Sequence, residues 1–306
     1  MRRLYIATAG IVIMFWNLEN FFDYHDGGGG AADTEFSAKG ERHWTAKRFF
    51  RKCDAVAKTI LWSSGEYGQL PDIVAFAEVE NAWALRKLTG STALEKLDYK
   101  VVHYDSPDPR GIDVGLIYNS KTLQLLRSKP CRVALSDSSF RTRDILLAEF
   151  ARRDSSGCFA VLVNHHPSKY GGAASEPRRE AAVRRLAFLA DSLRQAGYAE
   201  VVACGDFNDT PDRPIYGIIP LNNLAEESSR RGEGTIYFEG RWELIDMFFV
   251  SDSLLPRSEM RIPRIPFLLV RDRTYGGEKP FRTYSGPRYT GGVSDHRPIF
   301  LHLRPE

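Results

Sequence analysis

Apolar runs along this chain end, one after another, in short polar clusters. IVIMFW at 11–16 runs into Asn17–Glu19, and DIVAFA at 72–77 runs into Glu78. FAVLV at 159–163 leads to Asn164–His165, and EVVACG at 200–205 leads to Asp206–Asn208. The last cluster reverses the order, with Asp295–His296 just ahead of PIFLHL at 298–303. Short continuous apolar runs of this kind predict strands buried on both faces. Strand ends that carry carboxylates, amides and imidazoles predict one composite site at one edge of a sheet, suited to a divalent metal and a phosphate.

The rest of the pattern predicts strands at 99–104, 113–118, 123–126, 145–151, 201–203 and 244–250. Helical spacing marks 44–62, with Phe49, Phe50, Ala57, Ile60 and Leu61 among basic residues. A short helix follows at 81–88, and a long amphipathic one at 176–196, with Ala182, Leu186, Leu189 and Leu193 on one face. Residues 25–40, with four glycines at 27–30, predict a mobile loop. Many strands with few helices give an α/β protein with mixed sheets, two of them packed face to face with helices outside. The stretch 251–293 lacks regular pattern and interleaves Phe267, Tyr275, Phe281, Tyr284 and Tyr289 with Arg271, Arg273, Lys279, Arg282 and Arg288. Long patternless segments in compact folds are usually functional, and this one suits a substrate-facing loop.

At 306 residues the length allows two average domains. The clusters run from Asn17 to His296, so one domain over 11–303 is expected. Formal net charge is +3, from 42 basic and 39 acidic residues, which neither requires nor excludes nucleic acid. The four cysteines form no CxxC pair, which argues against structural zinc. Cys158 and Cys204 lie in apolar runs and are expected to be buried; two disulfides stay open if the protein is exported. Arg2 and Arg3 ahead of an apolar run resemble a signal sequence without a clear cleavage site, so residues 1–10 are a signal remnant or a frayed end. Localisation is left between cytoplasm and export. No run reaches the length of a membrane span, and a monomer is expected.

Each cluster has a chemical and a structural reading. Asp206 and Asn208 can serve as general base and phosphoryl-oxygen donor, or form an Asx-turn after Gly205. Glu78 directly after a buried strand needs a cation or donors, and with Glu19 it suits magnesium. Glu80, two residues on, is the rival ligand. Asp246 inside LIDMFFV is a carboxylate among apolar neighbours that needs a partner; an imidazole, which it would hold in one tautomer, is the obvious candidate, and a buried hydrogen bond to backbone is the alternative. Of the adjacent histidines His165 and His166, only one can face a site in extended geometry, and His165 is taken as that one. Lys169 is an auxiliary cation. Arg110 and Arg143 head strands and can clamp a phosphate or lie solvated.

FWNLEN, IVAFAEVEN, RGIDVGLIY, LVNHHPSKYGG, ACGDFNDTPD, LIDMFFVS and GGVSDHRPIFLHL together resemble the endonuclease/exonuclease/phosphatase superfamily, the DNase I-like group, in family order over 11–303. The resemblance implies a four-layer α/β sandwich, two face-to-face mixed sheets flanked by helices. It implies Mg²⁺, or Mn²⁺, held mainly by Glu78 with Glu19 near and Asp295 completing the metal side. It makes Asn17 a site-organising amide, His165 the mid-chain histidine, and Asp206 and Asn208 the pair that activates water. Asp246 then pairs with His296 on the scissile phosphate. Glu19 stands where several members carry Asp, so a water-bridged role is an alternative. The implied reaction is in-line attack of water on a phosphoester. Nucleic acid is the first substrate expected, from the aromatic–cationic segment and the run Arg178, Arg179, Arg184, Arg185, although those arginines also suit a solvated helix face. A phosphatase or phosphodiesterase on a small, inositol phosphate or lipid substrate is the second reading. A non-catalytic binding module is the third.

Overall fold

The computed structural model describes residues 10–135, 140–169 and 172–305. The expectation for the N-terminal segment, Gly10 apart, lies outside the described residues. From the N-terminus, β1 (Ile11–Phe21) leads through α1 (Ala31–Glu35) and α2 (Ala46–Tyr67) to β2 (Ile73–Val79). Then come α3 (Ala82–Gly90), β3 (Tyr99–His103), β4 (Asp113–Asn119), β5 (Leu123–Cys131), β6 (Ile145–Arg152) and β7 (Cys158–His165). Helix α4 (Glu176–Gln195) crosses to β8 (Val201–Asp206), and β9 (Asn222–Asn223) and α5 (Ala225–Arg230) follow. The C-terminal third holds β10 (Ile236–Phe238), β11 (Arg241–Glu243), β12 (Asp246–Val250), β13 (Ser258–Arg261), β14 (Leu269–Arg271), β15 (Glu278–Pro280), β16 (Tyr284–Ser285), β17 (Arg288–Tyr289) and β18 (Ile299–Leu303).

Two six-stranded mixed sheets form the body, in the orders β13-β18-β1-β2-β4-β3 and β5-β6-β7-β8-β12-β9. Alternation along each strand explains the unbroken apolar runs. Ile11, Ile13 and Phe15 point between the sheets, onto Phe150, Phe159, Val161 and Val202. Val12, Met14 and Trp16 point the other way, against Phe49, Val56 and Ile60 of α2. On the outer face of the second sheet, Leu147, Leu162 and Phe249 meet Val183, Leu186 and Leu189 of α4. Helix, sheet, sheet and helix stack in four layers, as expected. No described helix is long and apolar enough to cross a membrane.

Several expectations change. Residues 25–40 are not structureless: they hold α1, whose Asp33 is buried and accepts the Gly27 and Gly29 amides on Oδ2, at 3.0 and 2.7 Å. Strand β1 continues past Trp16 to Phe21, and β5 past Leu126 to Cys131. Pro130 is tolerated in β5 because β5 is a sheet edge. The 251–293 stretch holds an edge strand, β13, and two small hairpins. Its aromatics mostly turn inward: Tyr284 is buried, and Phe267 and Tyr289 pack on the core below, leaving Tyr275 exposed. Cys53, Cys131 and Cys204 are buried free thiols, but Cys158, at the outer start of β7, is exposed and also free.

Candidate active site

The polar clusters meet at one end of the paired sheets. Strand pairing sets most of the positions. In the second sheet β7 lies parallel to β8 and β12 antiparallel to it, with His165 opposite Asp206 and Asp246 opposite Asp206. Directly opposed residues share a face, so these three side chains project together. Two buried carboxylates side by side repel unless a cation joins them. His296 is that cation: its Nδ1 lies 2.8 Å from Asp246 Oδ2 and its Nε2 3.8 Å from Asp206 Oδ2. The His296 carbonyl accepts the Trp16 indole N–H at 2.8 Å. Ser294 donates to the Asn17 carbonyl at 2.6 Å and accepts the His296 amide at 3.0 Å. The loop before β18 is thereby bolted to the end of β1.

Asn17 ties the two sheets across the site. Its amide nitrogen donates to Asp206 Oδ2 at 3.0 Å, and its oxygen accepts the Glu19 N–H at 2.9 Å. From there the backbone leaves regular geometry. Glu19, Asn20, Glu78 and Asn208 all have left-handed φ, at 48°, 56°, 60° and 51°. Non-glycine residues pay strain for this, and such residues concentrate at functional sites. Register slips between Asn17 and Phe21 on β1, and one extra residue, Glu78, sits between Ala77 and Val79 on β2. This bulge decides between the rival glutamates. Glu78 turns into the site, with Oε2 accepting the Asn20 amide at 2.7 Å. Glu80 turns away to the Asp23 amide, 2.7 Å from its Oε2, so simple alternation fails here.

Burial shapes the protonation states. His165, fully enclosed, has Nε2 3.6 Å from Asp206 and 4.0 Å from Glu78. Burial, then Arg143, Arg110 and His296, push its ring far below the usual range, so it is neutral. For His296 burial opposes the charge, but Asp246, Asp206 and Asp295 overcome it and hold the ring protonated well above the ordinary value. Asp206 is pushed up to about 7, by burial and then by Asp246, against His296 and the donors Asn17 and Asn208. One ligand-type atom from each of Asp206, Asp246 and His296 lies within 4.8 Å of the others. His296, fixed on Asp246 and facing Asp206, joins the two carboxylates, an arrangement suited to moving protons and meeting anions.

Glu78 has an oxygen placed to hold a metal. Its Oε1 has Arg110 at 3.7 Å and His165 at 4.0 Å as its ion-pair neighbours, and oxygen donors suit Mg²⁺ or Mn²⁺. Glu19 does not fit: Arg282 Nε takes Oε1 at 3.0 Å and the Thr283 amide takes Oε2 at 2.7 Å. Burial and Asp295 push the Glu19 carboxyl up to about 7, against Lys52 and Arg282. Asp295 is also engaged by Arg282, through Nη2 at 3.0 Å.

The remaining expected residues divide. Arg110, half exposed, stands beside Glu78 and donates to Asn20 at 2.9 Å, so it is placed to meet an anion. Arg143 is buried, with Asp108 at 2.8 Å and the His166 carbonyl at 3.0 Å, and acts as a tie behind the site. Lys169 lies on the rim, 3.4 Å from Asp209 and 3.9 Å from Glu243. Asn208 forms the Asx-turn, its amide N–H on Asp206 Oδ1 at 2.9 Å, while its side chain donates to the His166 carbonyl at 3.0 Å. Of the two readings of this pair, the structure shows the Asx-turn, and the Asn208 side chain is spent on the His166 carbonyl. Gly205 serves packing rather than a turn: it lies inside β8, and a Cβ there would overlap the Asn164 carbonyl. His166 points away from the site onto Phe207, ring to ring at 4.6 Å.

Sequence reasoning missed Lys52, Arg282 as a site residue, Thr283 and Ser294. Lys52 carries a readable signal, a lysine on the apolar face of α2 between Phe49 and Val56. Its Nζ is buried and donates to the Glu19 carbonyl at 2.7 Å and to Thr283 Oγ1 at 2.9 Å.

The sequence model of the endonuclease/exonuclease/phosphatase family matches residues 12–305. No curated protein sequence matches the chain. Among solved structures, the human Nocturnin catalytic domain with bound sulfate is similar at 18% identity and a TM-score of 0.56, covering 97% of this chain and 95% of that one. A Bacteroides thetaiotaomicron mannosyl-6-phosphatase is similar at 14% identity and 0.56, covering 95% and 98%. D. rerio TDP2 complexed with a single-strand DNA product is similar at 14% identity and 0.54, covering 96% and 98%. At these identities the likeness speaks for the fold.

Proposed function

The chain belongs to the endonuclease/exonuclease/phosphatase family, whose members are phosphoric ester hydrolases, and from that premise we propose that it is a Mg²⁺-dependent nuclease cutting phosphodiester bonds. One observation carries the hydrolytic reading: the chain Asp246–His296···Asp206···Asn17, with Glu78 facing it across His165. Asp206 orients a water and takes its proton as the water oxygen attacks phosphorus. Cationic His296, fixed by Asp246, donates to a non-bridging oxygen as negative charge grows there. The bond to the leaving oxygen breaks in line, and that oxygen takes a proton from solvent. Neutral His165 keeps Asp206 and Glu78 apart without adding charge, and Arg110 meets the phosphate from the Glu78 side. When bound at Glu78, a divalent ion supplies Lewis-acid neutralisation of the phosphoryl oxygens.

Rim cations support the polymeric substrate: the side chains of Arg110 and Lys169 are 46% and 44% exposed beside the site, where backbone phosphates flanking the scissile one would lie. The second reading, a small phosphoester, is favoured by the inward packing of Phe267, Tyr284 and Tyr289, which removes most of the stacking platform.

Supercoiled-plasmid nicking tests both. With Mg²⁺ the wild type is expected to nick, and EDTA or His296→Ala is expected to abolish nicking. Added salt should weaken it steeply. Phosphate release from small phosphomonoesters without nicking would replace the nuclease reading, and turnover of neither substrate would overturn both.

A further inference from the structure

One cation of this site belongs to the chain itself. Arg282 lies between two of the carboxylates expected on the metal side, with Nε 3.0 Å from Glu19 Oε1 and Nη2 3.0 Å from Asp295 Oδ2. Its placement is imposed by the main chain rather than by a loose side chain. Thr283 N holds Glu19 Oε2 at 2.7 Å, while Thr283 Oγ1 donates to the Val293 carbonyl at 2.9 Å and accepts Lys52 Nζ. The segment that carries Arg282 is therefore pinned to α2 and to the loop before β18. Its guanidinium still shows 53% of the side chain to solvent, so one edge can reach an incoming anion.

Charge balance points the same way. Arg282 meets Glu19 and Asp295, Arg110 stands beside Glu78, and Lys52 holds the Glu19 main chain, so this side of the site already carries cations of the chain's own. A second divalent ion on the Glu19–Asp295 side, about 3.5–4 Å from one on Glu78 as in two-metal sites, would meet both Glu19 oxygens already taken by Arg282 and the Thr283 amide, and Asp295 Oδ2 already taken by Arg282. A guanidinium forks across two carboxylates and a phosphate with directional donors, as a point ion does not. Resting on the phosphoester reading above, we propose that Arg282 is the site's second cation: it fills the Glu19–Asp295 side, restricts the chain to one divalent ion on Glu78, and contacts a phosphoryl oxygen of the substrate.

The test needs no turnover. Mn²⁺ binding is counted by equilibrium dialysis on the wild type, Arg282→Gln and Arg282→Lys, and inorganic phosphate affinity is measured on the same proteins with one equivalent of Mn²⁺. The wild type is expected to bind one Mn²⁺, and Arg282→Gln a second. Phosphate affinity should fall about tenfold in Arg282→Gln, the size of one charge-assisted hydrogen bond, and less in Arg282→Lys. Arg282→Lys should keep one Mn²⁺, because it keeps the charge, and it serves if the glutamine variant does not fold. Two Mn²⁺ on the wild type, or one on every variant with unchanged phosphate affinity, would overturn the proposal. No Mn²⁺ on the wild type would instead overturn the metal reading on which it rests.

Discussion

The two ends of the paired sheets treat charge in opposite ways. At the end where β2 and β8 begin, the buried carboxylates are held by partners of the fold. Glu200 is gripped by Arg152 on one oxygen and Arg257 on the other, and Asp72 accepts the Val12 amide at 2.9 Å. At the end where the same strands finish, Asp206 and Asp246 face each other with one imidazolium between them. Asp246 Oδ1 is buried without a hydrogen-bond partner. Four residues there hold left-handed backbone, whereas the opposite end has such a non-glycine residue only in the β6–β7 turn, at Ser155, among the described residues. One end spends its polar groups on holding the fold, and the other keeps them unsatisfied for chemistry.

Substitutions should separate the two ends. Asp206→Asn removes the base and is expected to lower kcat/KM about a thousandfold, within the usual span of general-base catalysis. Its unfolding midpoint at pH 8 should equal or exceed that of the wild type. The sign follows from the raised carboxyl: Asp206 is stabilised when protonated, and that contribution is lost as pH rises through about 7. A marked loss of stability would mean that Asp206 is structural and would erase the contrast. Glu200→Ala should do the reverse. It leaves Arg152 and Arg257 without their shared partner, at side-chain exposures of 8% and 18%. Urea unfolding should show a loss of about 2 kcal/mol, below the ~3–5 kcal/mol of a fully buried pair, with kcat/KM per folded molecule unchanged.

The sequence exposes this asymmetry only in part. The layers and most strand ends are legible because burial on both faces leaves an apolar run that any polar residue interrupts. Asp246 is legible because a carboxylate inside LIDMFFV demands a partner, and the family resemblance supplies His296 as that partner. The bulges are not. Nothing in EVEN shows that Glu78 carries φ 60° and turns inward while Glu80 turns out, because that geometry comes from the register slip against β4. Arg282 reaches Glu19 across 263 positions, a contact that no local pattern encodes. The aromatics at 267–289 are visible as composition, but their direction is set by the core they cover. That is why the stacking platform expected there is mostly absent.

A pH profile sharpens the contrast most finely. Asp206 must be ionised to accept the proton of water, and its carboxyl is pushed up to about 7, so activity should fall about tenfold per unit below that value. His296 must stay protonated, and Asp246 holds it so well above the ordinary 6.5, so activity should persist to alkaline pH before it declines. The two groups lie 3.8 Å apart and titrate as a pair, and the two limbs belong to both. Asp246→Asn breaks that coupling at its source. The neutral amide still reaches Nδ1 but no longer favours the cation, so the alkaline limb should move toward neutral pH and the unfolding midpoint should fall at acid and neutral pH. The same linkage applies to stability. The raised His296 value contributes stability that is complete below about 6.5 and lost as pH rises through the folded value, and Asp246→Asn should remove that slope. An alkaline limb that does not move in Asp246→Asn would show that His296 owes its charge to another group, and the site end would then lose the feature that most distinguishes it from the saturated one.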